Sequence, residues 1–91
     1  MNIESIKDYQ FYDFVEEYLG YPMKGSGTIV SLQRTENQVI LNFKKFKLNS
    51  VIKYEFVFSN DECIVSKNYW NNVDLTKEWL NFAEYLSEVT Y

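Results

Sequence analysis

Apolar and polar residues alternate with a period of two in the middle of the chain. In the segment 51–58, Ile52, Tyr54, Phe56 and Phe58 share one parity, and charged residues occupy positions of the other. Such alternation in β-branched and aromatic residues predicts a β-strand with one apolar face and one solvent-facing face. We expect this strand to be the centre of the fold.

Three further segments show strand-like alternation and are separated by residues typical of turns. Turns that recur about every ten residues favour an antiparallel meander over strands joined by helices. The sheet is therefore expected to have four strands, at residues 28–34, 38–46, 51–58 and 62–67.

The same alternation predicts details of these strands. Val30 and Leu32 are expected to share one face of the first strand. The pattern breaks at Lys44 and Lys45, which predicts a bulge or the end of the second strand. Residues 68–72 contain two large rings and are expected to form a loop that closes one end of the core.

Apolar stripes with helical spacing predict a helix at each end of the chain, over residues 5–19 and 75–89. Either Ser5 or Asp8 is expected to cap the first helix and Asp74 the second, because short polar side chains accept hydrogen bonds from the free N–H groups of a first turn.

The connection after the first helix is expected to be a plain linker. Gly20 and Pro22 suit the end of a helix, and residues 23–27 are rich in glycine. A phosphate-binding loop runs from a strand into the N-terminus of a helix, which is the opposite order.

The predicted order is α-β-β-β-β-α in a single domain spanning residues 1–91. Each helix has one apolar stripe and the sheet has one strongly apolar face, so the simplest packing is a two-layer α+β sandwich with both terminal helices on that face. The other face is then open to solvent and carries Ile29, Gln33, Arg34, Ile40, Asn42, Lys44, Val51, Lys53, Glu55 and Val57.

The composition is that of a small globular protein. The chain has 91 residues, 46% of them hydrophobic and 19% aromatic, and large rings allow a short chain to bury a sufficient core. The single cysteine, Cys63, lies in an apolar run and is expected to be a buried structural thiol. The N-terminus lacks the pattern of a secretory signal and no segment approaches membrane-spanning length, so we expect a cytoplasmic protein.

The side chains give little support for catalysis. The chain contains no histidine, which removes the commonest general base and a usual ligand of zinc and iron. The adjacent carboxylates Glu16 and Glu17 point apart on a helix, and Asp61 and Glu62 are expected to be solvated charges at a turn. We therefore expect neither an enzyme nor a cofactor or metal site.

The net charge of −4 is unevenly distributed, with acidic ends and a basic middle between residues 23 and 70. On the first helix, an acidic arc faces away from the core, with Tyr9 and Ile6 expected beside it. A carboxylate field with an exposed ring can steer and anchor a basic partner. The predicted partner-binding residues are Tyr9, Asp13, Glu16, Glu17, Glu84 and Glu88.

A second candidate surface is basic. Lysines interleaved with an aromatic residue at a hairpin can bind phosphate and stack a base. The alternative nucleic-acid-binding residues are Lys44, Lys45, Phe46, Lys47 and Lys53. The same lysines are also typical of charges that protect a strand edge from pairing with another chain.

The order helix, antiparallel strands, helix resembles the layout of double-stranded-RNA-binding domains. That family has a lysine cluster at the start of its last helix, where this chain has the acidic sequence 74–78 (Asp-Leu-Thr-Lys-Glu), so the resemblance does not imply RNA contacts there. In size, charge and architecture, though not in any motif, the chain also resembles some phage-encoded anti-CRISPR inhibitors and bacterial toxin-immunity proteins.

Three functional hypotheses follow. The first is a small non-enzymatic protein that binds and occludes a basic partner protein, as an inhibitor, an immunity protein or an anti-defence protein of a phage or mobile element. The second is a nucleic-acid-binding module that uses the lysine-rich hairpin. The third is an accessory domain that associates with itself, as a homodimer for example, through the open sheet face or an edge strand.

Overall fold

The computed structural model describes residues 2–19, 27–68 and 70–89, without the side chains of Thr28, Lys47 and residues 87–89. The predicted helix end at residues 20–22 and most of the predicted linker lie outside the described residues. The elements are a 3-10 segment Ile3–Ser5, helix α1 (Asp8–Leu19), strands β1 (Gly27–Arg34), β2 (Val39–Lys47), β3 (Ser50–Phe58), β4 (Cys63–Lys67) and β5 (Trp70–Asp74), and helix α2 (Thr76–Val89).

The sheet is antiparallel and has five strands in the order β1-β2-β3-β4-β5. The α+β class is as predicted, but the prediction of four strands is wrong. Residues 70–72, which were expected within a loop, form the edge strand β5 together with Val73 and Asp74. Trp70 is 69% exposed and does not close the core, whereas Tyr69 lies outside the described residues.

The central strand β3 has the predicted apolar face. Ile52, Phe56 and Phe58 are buried, and Tyr54 is partly buried and packs against the core. Leu41 of β2 lies opposite Phe56, so the two strands extend the same apolar surface. This surface is the floor of the core.

Both helices contact this floor through aromatic rings. The ring centroid of Phe58 lies 4.9 Å from that of Phe11 and 5.8 Å from that of Phe14, both in α1. It lies 4.7 Å from the ring of Trp79 in α2, whose indole N–H donates to the Ser59 carbonyl at 3.3 Å. The two helices therefore pack against the same side of the sheet.

The predicted irregularity at Lys44 and Lys45 is wrong. The β2–β3 ladder is regular from Val39 opposite Phe58 to Lys47 opposite Ser50. A two-residue turn closes this hairpin, and Asn49 has the positive φ of 65° that asparagine tolerates better than most residues. The lysine pair therefore breaks the hydrophobic pattern without breaking the strand.

The sheet irregularity occurs instead in β1, between Ile29 and Ser31. The extra residue changes the side to which neighbouring side chains point. Val30 is 53% exposed, whereas Leu32 packs against the core, so the prediction that they share a face is wrong. Ile29 also packs against the core, contrary to its expected place on the open face.

The first helix begins at Asp8, later than predicted, and neither expected cap is used. The Lys7 N–H donates to the Gln10 side chain at 2.9 Å, which satisfies the helix start. Ser5 donates to the Asn2 carbonyl instead, and the Asp8 carboxylate binds Arg34.

Arg34 attaches the N-terminal segment to the sheet. Its guanidinium bonds Asp8 at 2.9 Å, donates to the carbonyls of Ile3 and Ile6, and lies 5.1 Å from the Phe11 ring centroid. The expectation that Arg34 belongs to the open face is therefore wrong. The Ile3 N–H donates to the Asn60 side chain at 2.9 Å, which attaches the segment at a second point.

The second helix begins one residue later than predicted, with Asp74 in its expected capping role. The Asp74 carboxylate accepts a hydrogen bond from the Thr76 N–H at 2.9 Å, and bonds from Thr76 lower the pKa of Asp74. Among the described residues, neither helix is long and apolar enough to cross a membrane.

Candidate functional site

The fold separates the charges of the chain by layer. Helix α1 contains four acidic residues and no basic residue, and α2 contains three acidic residues and one lysine. Strands β2 and β3 carry four lysines against Glu55. The helical layer is therefore acidic and the central hairpin is basic, and the acidic layer is the first candidate site.

The predicted acidic arc forms a strip along α1. Tyr9, Asp13 and Glu17 are exposed and follow one another at intervals of four residues, which places them on one side of the helix. Glu16 is half-buried beside this strip. Ile6, which was expected to share the arc, is buried in the core because it precedes the helix and does not follow its spacing.

A groove of about 730 Å³ lies between the end of α1 and the start of α2. Glu17 lines it from α1, and Glu78 lines it from α2. Phe14 and Phe82 supply apolar lining, with their ring centroids 5.4 Å apart. Two exposed tyrosines and an amide complete the lining, namely Tyr18, Tyr85 and Asn81. The groove thus combines carboxylates with aromatic surface.

A second groove of about 550 Å³ lies toward the start of α1. It brings together two predicted residues from different helices, Tyr9 and Glu84. Leu80 and Lys7 also line it. The side chain of Glu88, which was predicted to extend the acidic surface, lies outside the described part of α2.

Sequence reasoning missed the contribution of Glu78 and Tyr85. Both lie at the border of the apolar stripe of α2, at spacings of three and four residues from Phe82 and Asn81. The helical spacing, which the sequence shows, places both at the border of the stripe, where a side chain can line a groove beside a packed neighbour. The sequence does not identify α1 as that neighbour.

The arrangement suits the binding of lysine or arginine side chains. A cation in the larger groove would lie among the carboxylates of Glu17 and Glu78 and the rings of Tyr18 and Tyr85, groups that can supply Coulombic and cation–π attraction. Exposed tyrosines also provide apolar contact area at low cost in conformational entropy.

The structure divides the predicted lysine cluster. Lys44 and Lys53 lie directly opposite each other on β2 and β3, and Phe46 shares their face. Lys45 has the parity of buried Phe43 and so belongs to the other side of the sheet. The side chain of Lys47 is not described. Two of the four lysines are thus shown on one surface.

Among the described residues, no group of three or more cysteine, aspartate or glutamate side chains is placed to hold a metal ion. Cys63 is buried, as predicted, and burial raises the pKa of its thiol to about 12, with further contributions from Asp74 and Glu78.

Comparison with known proteins gives no match to this chain, whether with family models, curated proteins or solved structures.

Proposed function

We propose that this chain is a small non-enzymatic protein that binds a basic region of a partner protein through its helical layer. The observation that carries the proposal is that Glu17, at the end of the acidic strip of α1, lines an aromatic groove together with Glu78 of α2. Carboxylates set beside exposed tyrosines are suited to lysine- and arginine-rich surfaces.

The proposed mechanism is occlusion. A partner that handles nucleic acid exposes lysines and arginines to bind phosphate, and a rigid acidic surface competes for the same side chains. In this mechanism the carboxylates of Asp13 and Glu17 on α1 and of Glu84 on α2, all of them exposed, take the place of phosphates. An inhibitor, immunity or anti-defence role, of the kind encoded by phages and mobile elements, is the concrete form of this function.

The test is a pull-down from the native host lysate with nuclease present. The protein carrying Asp13→Lys and Glu17→Lys, both at exposed positions, is compared with the unaltered protein. We expect the double reversal to lower recovery of the basic partner at least tenfold, because two attractive contacts become repulsive. Circular dichroism establishes that the variant is folded.

The matched control reverses charge on the other layer. A variant carrying Lys44→Glu and Lys53→Glu changes the same number of charges on the sheet face, and it is expected to retain the partner. Equal recovery by the unaltered protein and the Asp13/Glu17 variant contradicts the proposal.

A second candidate function is nucleic-acid binding through the open sheet face. The observation in its favour is that Lys44, Lys53 and Phe46 lie on one surface and that Phe46 is 47% exposed. The same pull-down separates the two functions. Nucleic acid recovered without nuclease, and lost with the Lys44/Lys53 variant, favours this second function.

A further inference from the structure

On the sheet face opposite the helices, the side chains of β2 and β3 follow a regular order of apolar and charged pairs. In the part of the chain that the structure describes, both helices pack on the other side, through Phe58 and its neighbours. Val51 is 46% exposed and Phe46 is 47% exposed, although both are large and apolar. This side is called the open face below.

Four cross-strand pairs of the β2–β3 ladder lie on the open face. Following the ladder from the hairpin turn, the pairs are apolar, basic, polar with one acid, and apolar. They are Phe46 with Val51, Lys44 with Lys53, Asn42 with Glu55, and Ile40 with Val57.

When a second copy is laid over the face with this order of pairs reversed, each pair faces a pair that complements it. A two-fold axis that crosses the strands at the level of Tyr54 lays β3 of one copy antiparallel over β3 of another. The axis exchanges the second and third pairs, so Lys53 of each copy faces Glu55 of the other. It also exchanges the two outer pairs, so Val51 of each copy faces Val57 of the other.

From this complementarity we infer that the open face binds a second copy of the chain, forming a two-fold symmetric dimer. Isologous interfaces require a surface that is complementary to itself. The rows of β2 and β3 meet this requirement, because Lys53 faces Glu55, Lys44 faces the Asn42 amide, and the outer apolar pairs face each other. The opposite choice of axis, along the strands, places lysine over lysine and is disfavoured.

The size of the face indicates a weak interface. Under this axis strands β1, β2 and β3, which have eight or nine residues each, overlap with their copies, whereas the shorter β4 and β5 do not. Three strands about 4.8 Å apart give a face of roughly 14 by 27 Å, so two such faces bury on the order of 800 Å², as in weak, transient complexes. The dimer is expected to dissociate at roughly tens to hundreds of micromolar.

The test uses charge exchange within one strand, measured by analytical ultracentrifugation over the micromolar range. Lys53→Glu alone places acid over acid, and Glu55→Lys alone places lysine over lysine, so each weakens dimerisation by at least about tenfold. The protein carrying both changes restores opposite charges across the axis. Its dimerisation constant is expected to lie within about threefold of the unaltered value.

Mixing the two single variants gives a sharper result. The Lys53→Glu copy presents two acids and the Glu55→Lys copy presents two lysines, so the mixture is expected to form a heterodimer at concentrations where each variant alone is mainly monomeric. Controls with the same charge changes on the helical layer, Lys77→Glu and Glu17→Lys, leave the dimerisation constant unchanged. Far-UV circular dichroism checks folding of every variant.

Two results overturn the inference. One is an unaltered protein that stays monomeric up to millimolar concentration. The other is a dimer whose constant does not respond to the exchanges. If a single variant fails to fold, dilution of the unaltered protein followed by NMR remains decisive, because amide shifts must change at Lys53 and Glu55 and not in α1 or α2.

Discussion

At the residue scale, Cys63 shows how burial determines chemistry. Its N–H donates to the Thr76 hydroxyl at 3.2 Å, and its carbonyl accepts from the Leu75 N–H at 2.8 Å. The residue thus joins β4 to the start of α2, and its side chain is fully buried. Burial, with the nearby carboxylates of Asp74 and Glu78, favours the neutral thiol and raises its pKa to about 12.

This raised pKa predicts a loss of stability at high pH. In the unfolded chain the thiol ionises near its ordinary pKa of 9.0, whereas in the folded protein it stays neutral up to about pH 12. The stabilisation of the folded protein by its buried neutral thiol is complete below pH 9, and it decreases as the pH rises from 9 to about 12. By pH 11 the loss in the free energy of unfolding amounts to about 3 kcal/mol.

The measurement is urea unfolding of the unaltered protein and of Cys63→Ala between pH 7 and pH 11. The variant is less stable at pH 7 by about 1 kcal/mol because it leaves a small cavity, but its stability falls less steeply above pH 9. Ionisation of lysines and tyrosines affects both proteins and cancels in the comparison. Parallel curves contradict the prediction.

At the scale of elements, the alternation of apolar residues predicted the strands whose two faces differ. Ile52, Phe56 and Phe58 were identified because β3 is central and has one wet face and one dry face. Strand β5 was missed because all five of its residues are exposed, so burial leaves no periodic pattern there. Val30 was placed on the wrong face because a bulge is a property of pairing with β2.

The candidate site was also predicted only in part. The exposed strip of Tyr9, Asp13 and Glu17 follows from the helical spacing of α1 alone. The grooves depend on how α2 lies beside α1, and no periodicity within either helix contains that information. Arg34 was misplaced for the same reason, since its partners Asp8 and Ile3 are distant in sequence.

The N-terminal segment supplies the prediction that belongs to this scale. Arg34→Ala removes the salt bridge to Asp8 and the bonds to the carbonyls of Ile3 and Ile6. Because the guanidinium is partly exposed, we expect a loss of about 1–2 kcal/mol in the free energy of unfolding. Arg34→Lys is expected to recover less than half of this, because an ammonium cannot reproduce the planar fork of donors.

Hydrogen exchange measured by mass spectrometry locates this effect. Peptides covering residues 2–19 are expected to exchange faster in Arg34→Ala, while those of β3 and β4 change little. The matched control is Lys67→Ala, which also removes an exposed cation from a strand. If hydrogen exchange becomes uniformly faster across the sheet, Arg34 stabilises the whole fold and this prediction is wrong.

At the scale of the whole molecule, the two proposals use opposite sides of the sheet. The helices pack on one side through Phe58, and the open face carries Lys53 and Glu55 on the other. A dimer formed through the open faces therefore directs two acidic helical layers outward. One dimer has two equivalent docking surfaces, and neither is covered by the self-association.

This geometry predicts avidity for a target that presents several basic sites. The partner captured in the pull-down is immobilised at low and at high density for surface plasmon resonance. At high density the unaltered protein, supplied above its dimerisation constant, is expected to dissociate at least tenfold more slowly than Lys53→Glu, because a dimer rebinds through its second surface. At low density, where each dimer engages one site, the two proteins should dissociate at the same rate.

A difference at low density indicates that Lys53 itself touches the partner, whereas equal rates at high density indicate that the dimer does not present both helical layers at once. Loss of binding on Asp13→Lys and Glu17→Lys at both densities assigns the docking surface independently of the dimer, so each proposal fails or stands by its own measurement.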